Sequence, residues 1–157
     1  HTIGGLQRLE NGTLFYHKLD AGAETPVIAS RATLTSEETI VLDPKSYETP
    51  GGPHASLEFF RPAPDGRHAV AGLAKGGSEI TTLFVRDLAS GKDLPDSIDR
   101  IETAYNDPQW LPDSSGFFYS RRKPLPPGTP AQVALPDVPR SHAAPLTVDD
   151  ATSARSP

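Results

Sequence analysis

The sequence predicts an all-β fold made of repeated four-stranded units, and three observations predict it. Apolar residues alternate with polar ones at a period of two, as in TLFYHKL at 13–19, SLEFFR at 56–61 and GFFYSR at 116–121, which is the spacing of strands with one buried face. No ten-residue stretch carries helical spacing, apart from a weak turn signal at DPKSYE. Turn and strand also recur together: ENGTLFY at 10–16, PDGRHAVAG at 64–72 and PDSSGFFYS at 112–120 each set an acidic or amide residue and a glycine just before an apolar strand. Asn11 to Asp65 is 54 residues and Asp65 to Asp113 is 48. A period near 50 with about four strands per unit is the pattern of β-propeller blades. A β-sandwich, whose turns come at shorter and non-repeating intervals, is the lesser alternative.

The elements follow in order. Strands at 13–19, 26–31 and 39–43 assign a first blade to roughly 3–43. Strands at 56–61, 68–74 and 81–88 assign a second to 56–98, and 105–121 supplies the first two strands of a third. Turn signals stand between them at Asn11-Gly12, Asp65-Gly66, Ser90-Gly91-Lys92-Asp93 and Asp113-Ser114-Ser115-Gly116. Complete propellers hold about four to eight blades, so about two and a half blades are less than half of a large ring. All eleven aromatic residues lie between Phe15 and Tyr119, whereas eight of the seventeen prolines lie from Pro124 onward. Residues 1–123 are therefore read as the partial propeller and 124–157 as a Pro/Ala-rich linker or disordered tail.

Composition narrows the function. With 15 basic and 20 acidic residues the formal net charge is -5, and the only basic cluster is Arg121, Arg122 and Lys123. That argues against a nucleic-acid partner. No apolar run is long enough to span a bilayer, so no membrane partner is expected and the chain reads as soluble, in cytoplasm or periplasm. The absence of cysteine excludes thiol catalysis, disulfides and thiolate metal sites. The first residue is His1 and no methionine occurs, which suggests a processed product or a piece of something longer.

The second blade and the residues after it carry a more specific signal. PDGRHAVAGLAKGGSE, then VRDLASGKDLPD, then WLPDSSGFFY resembles the N-terminal propeller region of the prolyl oligopeptidase family over about 5–123. The resemblance implies a seven-bladed propeller that covers a C-terminal α/β-hydrolase domain and limits access to small substrates. It further implies serine peptidase chemistry, cleavage of short peptides after proline, by a Ser, Asp and His triad in that other domain. The implied partners are that hydrolase domain and a short peptide substrate, with no cofactor and no metal. Because no triad residue lies in this chain, no catalytic residue is assigned and the chain alone is expected to be inactive. One position is a substrate-contact candidate: in this family an aromatic near the first strand of the third blade projects toward the interdomain cavity, and Tyr105 is the nearest match. A non-enzymatic propeller-like module that binds a protein or peptide is the alternative function.

Other residues invite chemistry that their context does not support. Ser78 stands in KGGSEI, but a nucleophile elbow needs G-x-S-x-G between a strand and a helix, and Ile80 stands in the place of the second glycine. It reads as a blade turn. His17 and His68 alternate with apolar neighbours and are expected to face solvent, and His54 sits in a Gly-Gly-Pro-His loop. Asp93, Asp96 and Asp99 lack the alternating ligands and central glycine of a calcium loop. Trp110 is expected to pack between blades, and Asn11-Gly12 is a hairpin turn before it is a glycosylation acceptor. An incomplete ring also leaves blade faces and strand edges open, so self-association is expected: on the final strand of the half blade Phe117 and Tyr119 lie on one side and Phe118 on the other, all three exposed, and that strand lacks a partner.

Overall fold

The computed structural model describes residues 1–78, 80–103 and 107–122, together with the backbone of 140–145. Four strands form the first sheet in sequence order: β1 (Thr2–Arg8), β2 (Leu14–Leu19), β3 (Val27–Arg31) and β4 (Thr39–Leu42). All neighbours are antiparallel. A 3-10 helix, Pro44–Tyr47, leads out of it, with the Asp43 carboxylate accepting from the Lys45 amide and proline at the start of the turn. That cap and proline are what the DPKSYE signal encodes.

The second blade is the meander β5 (Ala55–Pro62), β6 (His68–Lys75), β7 (Thr81–Asp87) and β8 (Asp93–Ile101). A third unit holds β9 (Gln109–Trp110), β10 (Gly116–Arg121) and β11 (Arg140–Pro145). It joins the second sheet through one bridge, Arg121 to Ile101. Strand boundaries expected for β2 to β7 and β10 therefore hold to within a residue or two, and the fold is a partial propeller.

Two differences from expectation concern the third unit. Within the stretch read as a linker or tail, residues 140–145 form a strand that pairs with β10 along its whole length, from Gly116 with Pro145 to Arg121 with Arg140. The final strand of the half blade therefore does have a partner, and among the described residues the sheet ends at β11. Ala143 and Ala144 lie opposite Phe118 and Phe117; small residues without aromatic neighbours gave no strand signal. The remainder of 124–157 lies outside the described residues.

The core occupies the spaces between blades. Phe15, Ile28 and Leu42 of the first blade pack with Phe60, Ala69, Ala71, Leu73 and Phe84 of the second. On the opposite face, Phe59, Val70, Leu83, Val85 and Ile101 pack with Phe117 of the third unit. The expectation that both faces of β10 present aromatic surface does not hold: Phe117 is buried and Tyr119 half-buried against the second blade, and of the three only Phe118, on the other side of the strand, is exposed, at 46 %. Of the two faces of β10, one is thus covered by the second blade. Gly72 permits the close approach of β5, because a Cβ there would sit 2.2 Å from the Phe59 ring.

The repeat is visible in atomic detail at the turns after the first strand of each unit. Leu9, Ala63 and Leu111 each receive a hydrogen bond at their carbonyl from Gly12, Gly66 and Ser114, and their own amides donate to Thr13, His68 and Gly116. The residues completing the turns all have positive φ: Gly12 at 90°, Gly66 at 71° and Ser114 at 61°. Glycine adopts this region without strain and serine does not. Ser114 has a compensating role, since its hydroxyl accepts the Asp65 amide of the neighbouring blade at 3.1 Å.

Candidate functional site

Ser78 lies in the β6–β7 hairpin, after Gly76 and Gly77 with φ of 62° and 71°. Its amide donates to the Lys75 carbonyl and its Oγ accepts the Ile80 amide at 3.0 Å. A serine hydroxyl that closes its own turn, followed by a strand and with no base bonded to it among the described residues, is a structural turn residue. Tyr105 lies outside the described residues. Flanking it, Glu102 is buried and pairs with Arg122, and Asp107 pairs with Arg61.

His17, His54 and His68 do not converge. His54 is exposed and meets Glu48 at 3.3 Å. His17 and His68 are half-buried rather than solvent-facing as their alternation suggested. For His17 the reason is that the imidazole lies against Gly5 of β1, where an added Cβ would come within 2.7 Å of the ring. Burial pushes the His17 pKa below its usual value, and the Arg61 charge adds to this.

Two of the three aspartates of β8, Asp93 and Asp99, are held by cations of different strands instead of facing one another. Asp93 pairs with Arg86 and accepts the Tyr47 hydroxyl, and Asp99 pairs with Arg100 and Arg121. The Arg121 hydrogen bonds hold the Asp99 pKa down. Among the described residues no group of histidines and acids could hold a metal ion, and no helix is long and apolar enough to cross a membrane. Of the sequence's basic cluster, Arg121 and Arg122 are engaged in ion pairs, and Lys123 lies outside the described residues.

Trp110 sits between blades, as expected. Its Nε1 donates to the Arg61 carbonyl of β5 at 2.8 Å, and its ring meets Phe117 edge-on at 5.2 Å. Asn11 forms the expected turn, its side chain accepting the Thr13 amide.

One polar network escaped sequence reasoning. On the first blade, Tyr16 and Lys18 both donate to Glu38 at 2.6 Å, and Arg31 Nε donates to the Tyr16 oxygen at 2.9 Å. Lys18, then Tyr16, keep the Glu38 pKa below its usual value, while burial and the Glu38 bond raise that of Tyr16. Every charge here has a partner, so the network ties the β3–β4 loop to the sheet and leaves no reactive group. Only the register of Tyr16 with Ala29 and of Ala29 with Ile40 reveals which side chains share this face.

Comparison with known proteins agrees with this geometry. Residues 6–132 match the family model for the prolyl oligopeptidase N-terminal beta-propeller domain. No curated protein sequence matches. Among solved structures, one from a study of two prolyl endopeptidases and their inter-domain dynamics is 24% identical, with a TM-score of 0.78, over 96% of this chain and 21% of that one. Prolyl oligopeptidase B from Galerina marginata, bound to a 35mer hydrolysis and macrocyclization substrate, is 15% identical with a TM-score of 0.76, over 94% of this chain and 22% of that one. The apo form of the Galerina protein gives 18%, 0.64, 78% and 20% on the same measures. At these identities the structures establish shared fold alone, and the chain spans about a fifth of their length. With a family model matched over most of its residues and blades packed as a propeller packs them, the chain belongs to the prolyl oligopeptidase family, within its N-terminal β-propeller domain.

Proposed function

We propose that this chain is the non-catalytic, substrate-gating portion of a serine peptidase that cleaves short peptides after proline, and that its partner is a C-terminal α/β-hydrolase domain carrying the triad. The observation that carries this reading is the one around Ser78: the serine nearest to an elbow in sequence spends its oxygen on the Ile80 amide and lies in a strand-to-strand hairpin. The chemistry must then come from elsewhere, and what this segment contributes is a wall of packed blades. Residues 1–123 form that wall, and Tyr105 is its substrate-contact candidate. Peptide size selection follows from the physics of such a wall, since a rigid ring admits a flexible short chain and rejects a folded one.

The test compares the 157-residue chain with the full-length product of the same reading frame on a chromogenic peptide with proline before the scissile bond. The chain alone should show no turnover. The full-length enzyme should be active, should keep its activity with Ser78→Ala, and should not cut the same sequence placed inside a folded protein. Turnover by the purified chain that vanishes with Ser78→Ala would overturn the assignment.

A further inference from the structure

The face of the second blade turned toward the first is only partly covered. Phe60, Ala69 and Ala71 meet Phe15, Ile28 and Leu42, but beyond them a cleft of about 660 Å³ opens, and no residue of the first blade's strands lines it. Its walls are Leu73, Phe84 and Leu94, with Ile80 on the rim at 54 % exposure. Volumes of roughly 300–1,000 Å³, apolar walls and a few convergent polar groups are the usual features of small-ligand sites.

The site is held in shape by Tyr47 from the 3-10 helix. Its ring lies 5.0 Å from that of Phe84, and the Arg86 guanidinium stands 5.9 Å over its face. Its hydroxyl donates to Asp93 at 2.6 Å, and Arg86 Nε pairs with the same carboxylate at 2.9 Å. The acid lining the cleft is therefore neutralised. Lys75, which also lines it, has no ion pair among the described residues. Ser78 beside it accepts the Ile80 amide, which leaves its hydroxyl hydrogen available to donate. The cleft thus joins an apolar wall to an ammonium and a hydroxyl donor.

We propose that this cleft binds an apolar carboxylate, its hydrocarbon body against Leu73, Phe84, Leu94 and Ile80 and its carboxylate on Lys75 and Ser78. An ammonium beside apolar walls attracts an anion more strongly than one in open water, because the local dielectric is lower. An apolar body adds the gain from its own burial. Two sources offer this chemistry, a fatty-acid chain and the C-terminal end of an apolar peptide.

The experiment titrates the 157-residue chain by calorimetry with decanoate and with N-acetyl-phenylalanyl-leucine, each beside its amide. At least one acid should bind saturably, and its identity distinguishes the two sources. Its amide should bind about tenfold more weakly or worse, as loss of one charge-assisted hydrogen bond implies. Lys75→Gln should weaken the acid by a similar factor and Ile80→Asp should abolish it, both at exposed positions that leave the core intact. Glu79, between Ser78 and Ile80 in the sequence, lies outside the described residues, and Glu79→Gln should leave binding equal or tighter. Phe118→Ser, on the far side of the molecule, should change nothing. Absence of binding by both acids, amides as tight as acids, weakening by Glu79→Gln, or loss of binding with Phe118→Ser would each overturn the proposal.

Discussion

The second blade and the outward face of the first are built from the same kind of antiparallel meander, yet they bury very different amounts of apolar surface. In β6, six consecutive residues from Ala69 to Ala74 are buried, because neighbours stand on both sides of the sheet. On the first blade, Phe15, Ile28 and Leu42 are equally buried on the inner face, whereas Ile3, Leu6 and Ile40 are 53%, 62% and 49% exposed. The difference lies in the neighbours. In a propeller the stability of a blade belongs to its interfaces, so a section of one carries a well-packed middle and two bare ends.

Substitutions can break this comparison. The largest effect is expected for Phe60→Ala, which empties the space between the blades and should cost about 3–5 kcal/mol in chemical denaturation. Ile40→Ala, at a half-exposed position of the outward face, should cost less than about 0.5 kcal/mol. Equal costs would mean that the outward face is packed after all. Gly72→Ala should destabilise by about 1–3 kcal/mol, since its methyl group would enter the Phe59 ring and a well-packed core yields poorly; an unchanged denaturation midpoint would show that β5 is free to shift.

A smaller effect comes from His17. Its folded pKa lies below the unfolded value of 6.5, because burial disfavours the charged form. As pH falls below about 6.5 the unfolded chain takes up a proton that the folded chain resists, so stability is full above that range and is lost progressively beneath it. The low-pKa carboxylates Glu38, Glu48, Asp87, Asp99 and Asp113 act only in the carboxylate range further down. Denaturation midpoints at pH 7.5 and 5.5 should therefore differ less for His17→Gln than for the parent chain, and an identical pH dependence would remove His17 from the account.

The same contrast explains what could be read from the sequence. Strands covered on both faces or alternating cleanly, such as HAVAGLA and SLEFFR, carry their pattern in composition, and the asparagine and aspartate turns mark the repeat. β1 was not legible, since TIGGLQR combines glycines with side chains that nearly all remain exposed. β8 was partly hidden because DLPDSIDRI is polar and contains proline, as suits an outer strand with little to bury. β9 is only two residues long. Ser114 was legible as a turn residue, but not as an interblade acceptor, because its partner, the Asp65 amide, is 49 residues away in sequence. The readings at Ser78 and at Asp93, Asp96 and Asp99 rested on motif requirements; the contacts themselves, the Ile80 amide on Ser78 and the arginines on Asp93 and Asp99, depend on the fold and had no local signal. The Tyr16–Glu38 network and the cleft beside Tyr47 depend on which loop folds over which sheet, which no local pattern encodes.

Sedimentation velocity across a concentration series addresses the claim of bare ends most directly. Phe118 is 46% exposed on the uncovered side of β10, Ile3, Leu6 and Ile40 are exposed at the other end, and burying one such side chain is worth roughly 1.5–3 kcal/mol. The parent chain should sediment as a concentration-dependent mixture of monomer and larger species, and Phe118→Ser should shift that mixture toward monomer. A sharp, concentration-independent monomer boundary together with a cooperative melt would contradict the account, because it would mean that the chain has closed its apolar faces by itself.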